Sequence, residues 1–427
     1  MRWSTMFIMV ICVMVTGFGF QLWLAPNKIF KATTWVPLSK RIISRISSPN
    51  EITNRCKPVQ NFAFVKTHKT GSTTLKTVIN RFGYARNLSF ILYEDSSTGH
   101  FNYKKIVASG NKTNILPPIG VMFGDFDHYR GYNISNVHLP YNHSLYRQLM
   151  HPKSLYISIL REPSSQWLSA FRYFRVYKVL KRQFSNMTDA VEEFMKAPDR
   201  YKNKNAYAWN NQLLDLGLEK VHFSNKTKIM KHVKLLEKDL KLVLITEYFD
   251  ESLILLKKLF CWSMDDIIYI KQREQGSHIT VNDTLRRKIL DFNSGDSQLY
   301  GFFNKTFWKK VRQYGPSFDN DLREFRTRLK DLEKQCIHEG IEKPAGDGRI
   351  YIQYVKKQGV EEVLCDMLIN VDFQMETLIQ SRQGGTNSSY RAENKKEQSG
   401  IPIQKNTLAN QTFTKNSTTY PQDTEIN

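Results

Sequence analysis

The stretch KTHKTGSTT, from Lys66 to Thr74, packs two lysines, a histidine, a glycine and five hydroxyls between an apolar run and an amphipathic one. Such a loop, if it opens a helix, is suited to anions. The first-turn N–H groups of a helix lack partners and carry about half a positive charge, so phosphate or sulfate oxygens settle there. Lys66 and Lys69 add cations. Thr70, Gly71, Ser72, Thr73 and Thr74 add amide and hydroxyl donors. The plainer alternative is that Ser72 or Thr73 is only a helix N-cap. His68 stands beside Lys69. A free imidazole titrates at about 6.5, which suits a base that takes a proton from a hydroxyl. A second stretch, SLYISILREPSSQWLSAFRYF (154–174), places Arg161 after an apolar run and Ser169 eight residues further on.

Other residues are weaker candidates. His128, in FGDFDHYR, is a second base candidate, with Asp125 or Asp127 to orient it or to bind a ligand's hydroxyls. Glu247, in ITEYFDES, is a third base, although a capping role with Asp250 and Glu251 competes. Trp167, Tyr173, Trp209 and Trp262 could stack on a ligand ring, but such residues are more often core. There is no GxxxxGK[ST], which disfavours a magnesium-nucleotide kinase. There is no closely spaced Cys or His cluster either, so no metal is expected.

These residues need elements to hold them. NFAFV (61–65) reads as a buried strand. It is followed by Leu75, Val78, Ile79 and Phe82 at the i, i+3, i+4, i+7 spacing of a helix, with Gly83 as its expected stop. SLYISIL (154–160) and LKLVLI (240–245) are also strand-like, and each is followed by a helical pattern. Strands alternating with helices imply an α/β fold with a central parallel sheet flanked by helices. In such sheets ligands bind beyond the carboxyl ends of the strands, which is where the loop falls.

The chain has 427 residues and a formal net charge of +22, which favours anionic partners. Residues 6–24 are uncharged and nearly all apolar, long enough at about 1.5 Å per residue for a bilayer core of about 30 Å. Eleven Asn-x-Ser/Thr sequons, from Asn87 to Asn416, all follow that run; chance predicts roughly four. The expected layout is a cytoplasmic tail (1–5), a transmembrane signal-anchor (6–24), a stem (25–55), a lumenal domain (56–380) and a disordered tail (381–427). Cys56, Cys261, Cys336 and Cys365 then lie in an oxidising compartment, able to form two disulfides in any of three pairings. Nucleic acid falls away as a partner.

The order of residues in the loop resembles the 5′-phosphosulfate loop of sulfotransferases, and Arg161 with Ser169 is similar to their 3′-phosphate site. More specifically, KTHKT (Lys66–Thr70) and the segment Leu160–Phe174, with Ala170 in place of a serine, resemble the galactose 3-O-sulfotransferase family. So do APDRY (197–201), NNQLLDLG (210–217), LVLITEYFDESLILLKKLFCW (242–262), FNKTFWKKV (303–311) and the positions of Cys261, Cys336 and Cys365. The likeness runs from about residue 56 to 380.

It implies a P-loop-like sulfotransferase fold with an N-terminal transmembrane anchor. It also implies 3′-phosphoadenosine 5′-phosphosulfate (PAPS) as donor and sulfation of the 3-hydroxyl of galactose on a glycolipid or glycoprotein glycan in the Golgi membrane. On this resemblance the donor site comprises Lys66, Lys69, Thr70, Gly71, Ser72, Thr73, Thr74, Arg161 and Ser169. The catalytic set is Lys69, His68 and His128. The chain departs from a family segment resembling Asn-His-x-Arg-Phe-His, with Gly124 and Asp125 where its Asn-His pair falls. Sulfation of another carbohydrate, or glycan binding without turnover, are the competing readings.

Overall fold

The computed structural model describes residues 56–93, 115–271, 274–275, 279–344, 350–359, 363–369 and 372–385. The expected anchor and stem lie outside these residues, as does most of the expected tail. Among the described residues no helix is long and apolar enough to cross a membrane.

The central sheet has four parallel strands in the order β2-β1-β3-β4: β1 (Phe62–Val65), β2 (Ile134–Ser135), β3 (Leu155–Leu160) and β4 (Leu240–Ile245). All four residues of β1 are buried. That is why its sequence is an unbroken apolar run: an inner parallel strand is covered on both faces. Phe62 is in register with Ile134 on one side and Leu155 on the other. The Ser158 hydroxyl satisfies itself on the Val65 carbonyl at 2.8 Å.

The helices used below are α1 (Ser72–Ala85), α2 (Pro163–Tyr173), α3 (Asn211–Asp215), α4 (Lys226–Asp239), α5 (Phe249–Phe260), α6 (Ser294–Tyr314) and α7 (Asp372–Gly385). The α1 stripe Leu75, Val78, Ile79 and Phe82 is buried as its spacing predicts. Gly83 does not end the helix, which runs on to Ala85. It is a packing glycine: a Cβ there would lie 2.3 Å from Phe90 Cζ and 2.6 Å from Ile134 Cδ1. Gly83→Ala should therefore destabilise the protein by about 1–3 kcal/mol, the usual cost of overpacking. An unchanged denaturation midpoint would contradict this close packing.

A second sheet escapes the sequence pattern. It is antiparallel in the order β5-β7-β6, from β5 (Glu274–Gln275), β6 (Ile337–Pro344) and β7 (Ile350–Lys356). After its first residue β6 is exposed throughout, so its sequence, IHEGIEKP, has no apolar face to betray it. Cys336 and Cys365 form a disulfide beside it, with Cα atoms 5.3 Å apart. Cys56 and Cys261 are also disulfide-bonded.

Helix α7 runs past residue 380, where the sequence suggests a tail, and clamps α1 from behind. Glu376 pairs with Lys76, and Arg382 donates to the Tyr84 carbonyl. The buried Gln383 accepts from the Phe90 amide at 2.8 Å and donates to the Phe90 and Pro117 carbonyls. The helix that carries the anion loop is thus held rigid at its far end.

Candidate active site

The loop after β1 is shaped by two left-handed residues, Lys69 (φ 60°) and Gly71 (φ 72°). Gly71 is the N-cap of α1, with no side chain bonded to the first-turn amides. Neither Ser72 nor Thr73 caps the helix. Two of the hydroxyls expected to face a ligand turn inward instead. Thr70 Oγ1 lies 2.8 Å from Thr67 Oγ1 and donates to the Thr67 carbonyl; Ser72 Oγ donates to that same carbonyl at 2.8 Å. Both residues are buried. They hold the loop's shape, which leaves the backbone amides, Thr73, which is exposed, and Thr74, which is half-buried, as the candidate donors to a ligand.

A lysine in the left-handed region costs about 1–2 kcal/mol and needs support. Arg161 supplies it from the end of β3, donating through Nη1 to the Lys69 carbonyl at 3.2 Å. Gln166 on α2 donates to the His68 carbonyl at 2.9 Å. Thr246, just past β4, donates to the carbonyls of Thr70 (2.6 Å) and Leu160 (3.0 Å). Three loops from adjacent strand ends are thereby tied together. The Lys69 ammonium sits 4.0 Å from the centroid of Tyr173, which is 43% exposed, so the cation is presented at the surface of the site.

His68 is fixed by a residue that the sequence did not flag for chemistry. Asp215, the last residue of α3, accepts from the His68 backbone amide at 2.6 Å and from Nδ1 at 2.7 Å. A carboxylate only accepts, so Nδ1 carries a proton, and in the neutral ring Nε2 is then the nitrogen with the lone pair. That is the tautomer a general base needs. The ring is also boxed by aromatics. His138 stacks on it with centroids 3.9 Å apart and planes at 11°, while Tyr207 and Phe174 meet it edge-on at 5.0 and 5.5 Å.

Helix α3 is positioned by buried polar bonds. The Asp296 carboxylate accepts from the Gln212 and Leu213 amides, at 3.0 and 2.9 Å. Gln212 in turn exchanges two bonds of 2.9 Å with the backbone of Arg161. Burial pushes the Asp296 carboxyl up to about 7, against the pull of its two amide donors. A folded-state value above the unfolded one means that the group's contribution to stability is present at low pH and is lost as pH rises. Stability should therefore fall between about pH 4 and about pH 7 through this group, and the slope should flatten in Asp296→Asn. Denaturant melts across that range check it.

The other predicted residues fall in different places. Lys66 is buried at the end of β1, beside His138. Ser169 is half-buried on α2. His128 lies on a short 3-10 turn, 60% exposed, with Nδ1 2.7 Å from Asp125. It is His138 that the fold lays against His68. Glu247 accepts from the Glu162 amide at 2.9 Å and from the Tyr300 hydroxyl at 3.1 Å, a bracing role. Trp167 and Trp262 are core. Beyond Arg161, an open cleft of about 700 Å³ is lined by Glu162, Pro163, Lys226, Ser294 and Tyr300 among others. No group of three or more metal-ligating side chains occurs among the described residues.

Cations and free amides at a strand end, beside an imidazole held by a carboxylate, suit transfer of an anionic group to a hydroxyl. Comparison with known proteins narrows that class. The Galactose-3-O-sulfotransferase family profile matches residues 7–353, and the chain belongs to this family. It is 31% identical over 301 residues to bovine (Bos taurus) galactosylceramide sulfotransferase, covering 69% of this chain and 68% of the relative. It is 32% identical over 272 residues to the human (Homo sapiens) galactosylceramide sulfotransferase, covering 62% and 61%. Against mouse (Mus musculus) galactose-3-O-sulfotransferase 3 the identity is 30% over 298 residues, covering 67% and 66%. The matches thus span roughly two thirds of the relatives' own length.

Proposed function

We propose that this protein transfers sulfate from PAPS to the 3-hydroxyl of a galactose on a glycolipid or glycoprotein glycan. We place it in the Golgi membrane as a single-pass type II protein with residues 56–380 in the lumen. The observation that carries the catalytic reading is the His68–Asp215 pair set next to Lys69 in the loop that opens α1. PAPS supplies an electrophilic sulfuryl group on a phosphate leaving group. Lys69 and the uncapped amides of α1 are placed to hold that anion and to offset charge growing on the leaving oxygen. Arg161 is the cation for the donor's 3′-phosphate, with Ser169 as a hydroxyl partner. His68 Nε2 takes the proton of the acceptor hydroxyl, and Asp215 keeps the imidazole in the required tautomer and balances the charge it gains. Eleven sequons after residue 24 and the disulfides support the lumenal placement.

The test is sulfate transfer from radiolabelled PAPS by the full-length protein to galactosylceramide, lactosylceramide and N-acetyllactosamine. Label at the galactose 3-hydroxyl is expected for at least one of them. Binding of 3′-phosphoadenosine 5′-phosphate, the donor without its sulfate, with no transfer to any acceptor would discard the acceptor class, and no such binding would discard the donor.

A further inference from the structure

His138 follows β2 and His68 follows β1, so two adjacent parallel strands deliver two imidazoles to one spot. The His138 ring is half-buried, and its Nδ1 is closed off from solvent with no partner among the described residues. The ring interacts with the Lys66 backbone. The reaction as proposed leaves this ring without a task. Yet it covers one whole face of the imidazole that must gain and lose a proton.

We propose that His138 is a positioning residue for the base: a ring whose flat face sets the tilt of His68 and receives the imidazolium formed when His68 takes the acceptor's proton. The proposal rests on the sulfotransferase reading of the site. Asp215 holds His68 through its backbone amide and Nδ1, at one edge of the ring, and does not touch the ring's faces. The His138 face, with Tyr207 and Phe174 around it, supports the ring there. The stack also decides where charge is allowed. At 3.9 Å two imidazolium rings would repel strongly, so the pair holds one positive charge at most. The surroundings put it on His68, where the Asp215 carboxylate lies. His138 faces Lys66 from β1 and Lys76 from α1 instead. Burial, then Lys66, His68 and Lys76, push its titration well below the usual imidazole range. A neutral π face then stabilises the adjacent cation.

Three variants of the full-length protein test this: His138→Phe keeps a flat neutral ring, His138→Leu keeps bulk alone, and His138→Ala removes both. With labelled PAPS and the best acceptor, His138→Phe should keep kcat and the acid limb of the pH profile close to wild type. His138→Leu and His138→Ala should lose about 10-fold or more in kcat, with the KM values for donor and acceptor little changed. If His138→Phe falls as far as His138→Ala, the nitrogen chemistry is needed and the proposal is wrong. If His138→Leu matches wild type, the ring is packing only, and the proposal is again wrong. Histidine-selective NMR gives a readout that needs no acceptor. The His138 ring should stay neutral through the pH range in which an ordinary imidazole takes its proton, and its protonation in that range would overturn the idea even in a protein with no measurable transfer.

Discussion

Lys69→Ala is expected to lower sulfate transfer by at least about 10²-fold, the cost of removing one preorganised charge from a developing anion. The lysine carries a charge at the mouth of the loop and is held left-handed against its own preference. Backbone strain of this kind persists where the surrounding structure enforces it, and it gathers at functional residues. Here the enforcing bonds come from Arg161 to the Lys69 carbonyl and from Gln166 to the neighbouring one. A companion variant separates function from folding. Lys69→Gly should be as inactive as Lys69→Ala yet at least as stable as wild type, because glycine adopts φ near 60° without steric cost. Initial rates with labelled PAPS and thermal melts measure both. A Lys69→Ala protein that transfers sulfate as fast as wild type would remove the lysine from the mechanism.

The second large effect concerns the pair His68 and Asp215. His68→Ala should lose about 10²- to 10⁴-fold in kcat, the usual range for a general base. Asp215→Asn should lose a comparable amount although the new side chain is nearly isosteric. Asparagine offers one acceptor where the aspartate offers two, and both oxygens are in use. Either the loop amide or the ring loses its partner, and the ring is then free to take the wrong tautomer. The double variant is the sharper test. If Asp215 acts through His68, the double variant is no slower than His68→Ala alone. Full additivity would place Asp215 in the structure of α3 and outside the chemistry.

Much of the site could be read from local sequence because its physics is local. An anion loop is a strand end, a glycine and a helix start within ten residues, and Lys66 to Thr74 contains them all. An inner strand of a parallel sheet must be apolar on both faces, so β1 appears as an unbroken run, while its neighbour β3 and the edge strand β4 are largely apolar runs, broken by Ser158 in one and by the exposed Lys241 in the other. Roles within the loop were less legible. Thr70 and Ser72 have the right hydroxyls for a ligand, yet their side chains close on Thr67, because a turn with two left-handed residues needs its own internal bonds. Strand β6 was invisible because an exposed strand needs no apolar face.

By itself the sequence determined the anion loop, the strand–helix alternation, Lys69 and His68 as neighbours, and the family. Only the tertiary structure decided what stands around His68. Asp215 lies 147 residues away in sequence, and His138 reaches the ring because β2 pairs beside β1. The physical reason is range. Periodicity, capping and loop chemistry act across a few residues and leave a mark in each short stretch. A carboxylate placed on a distant imidazole leaves none, since its short helix earns that position through Asp296, Gln212 and the order of the strands.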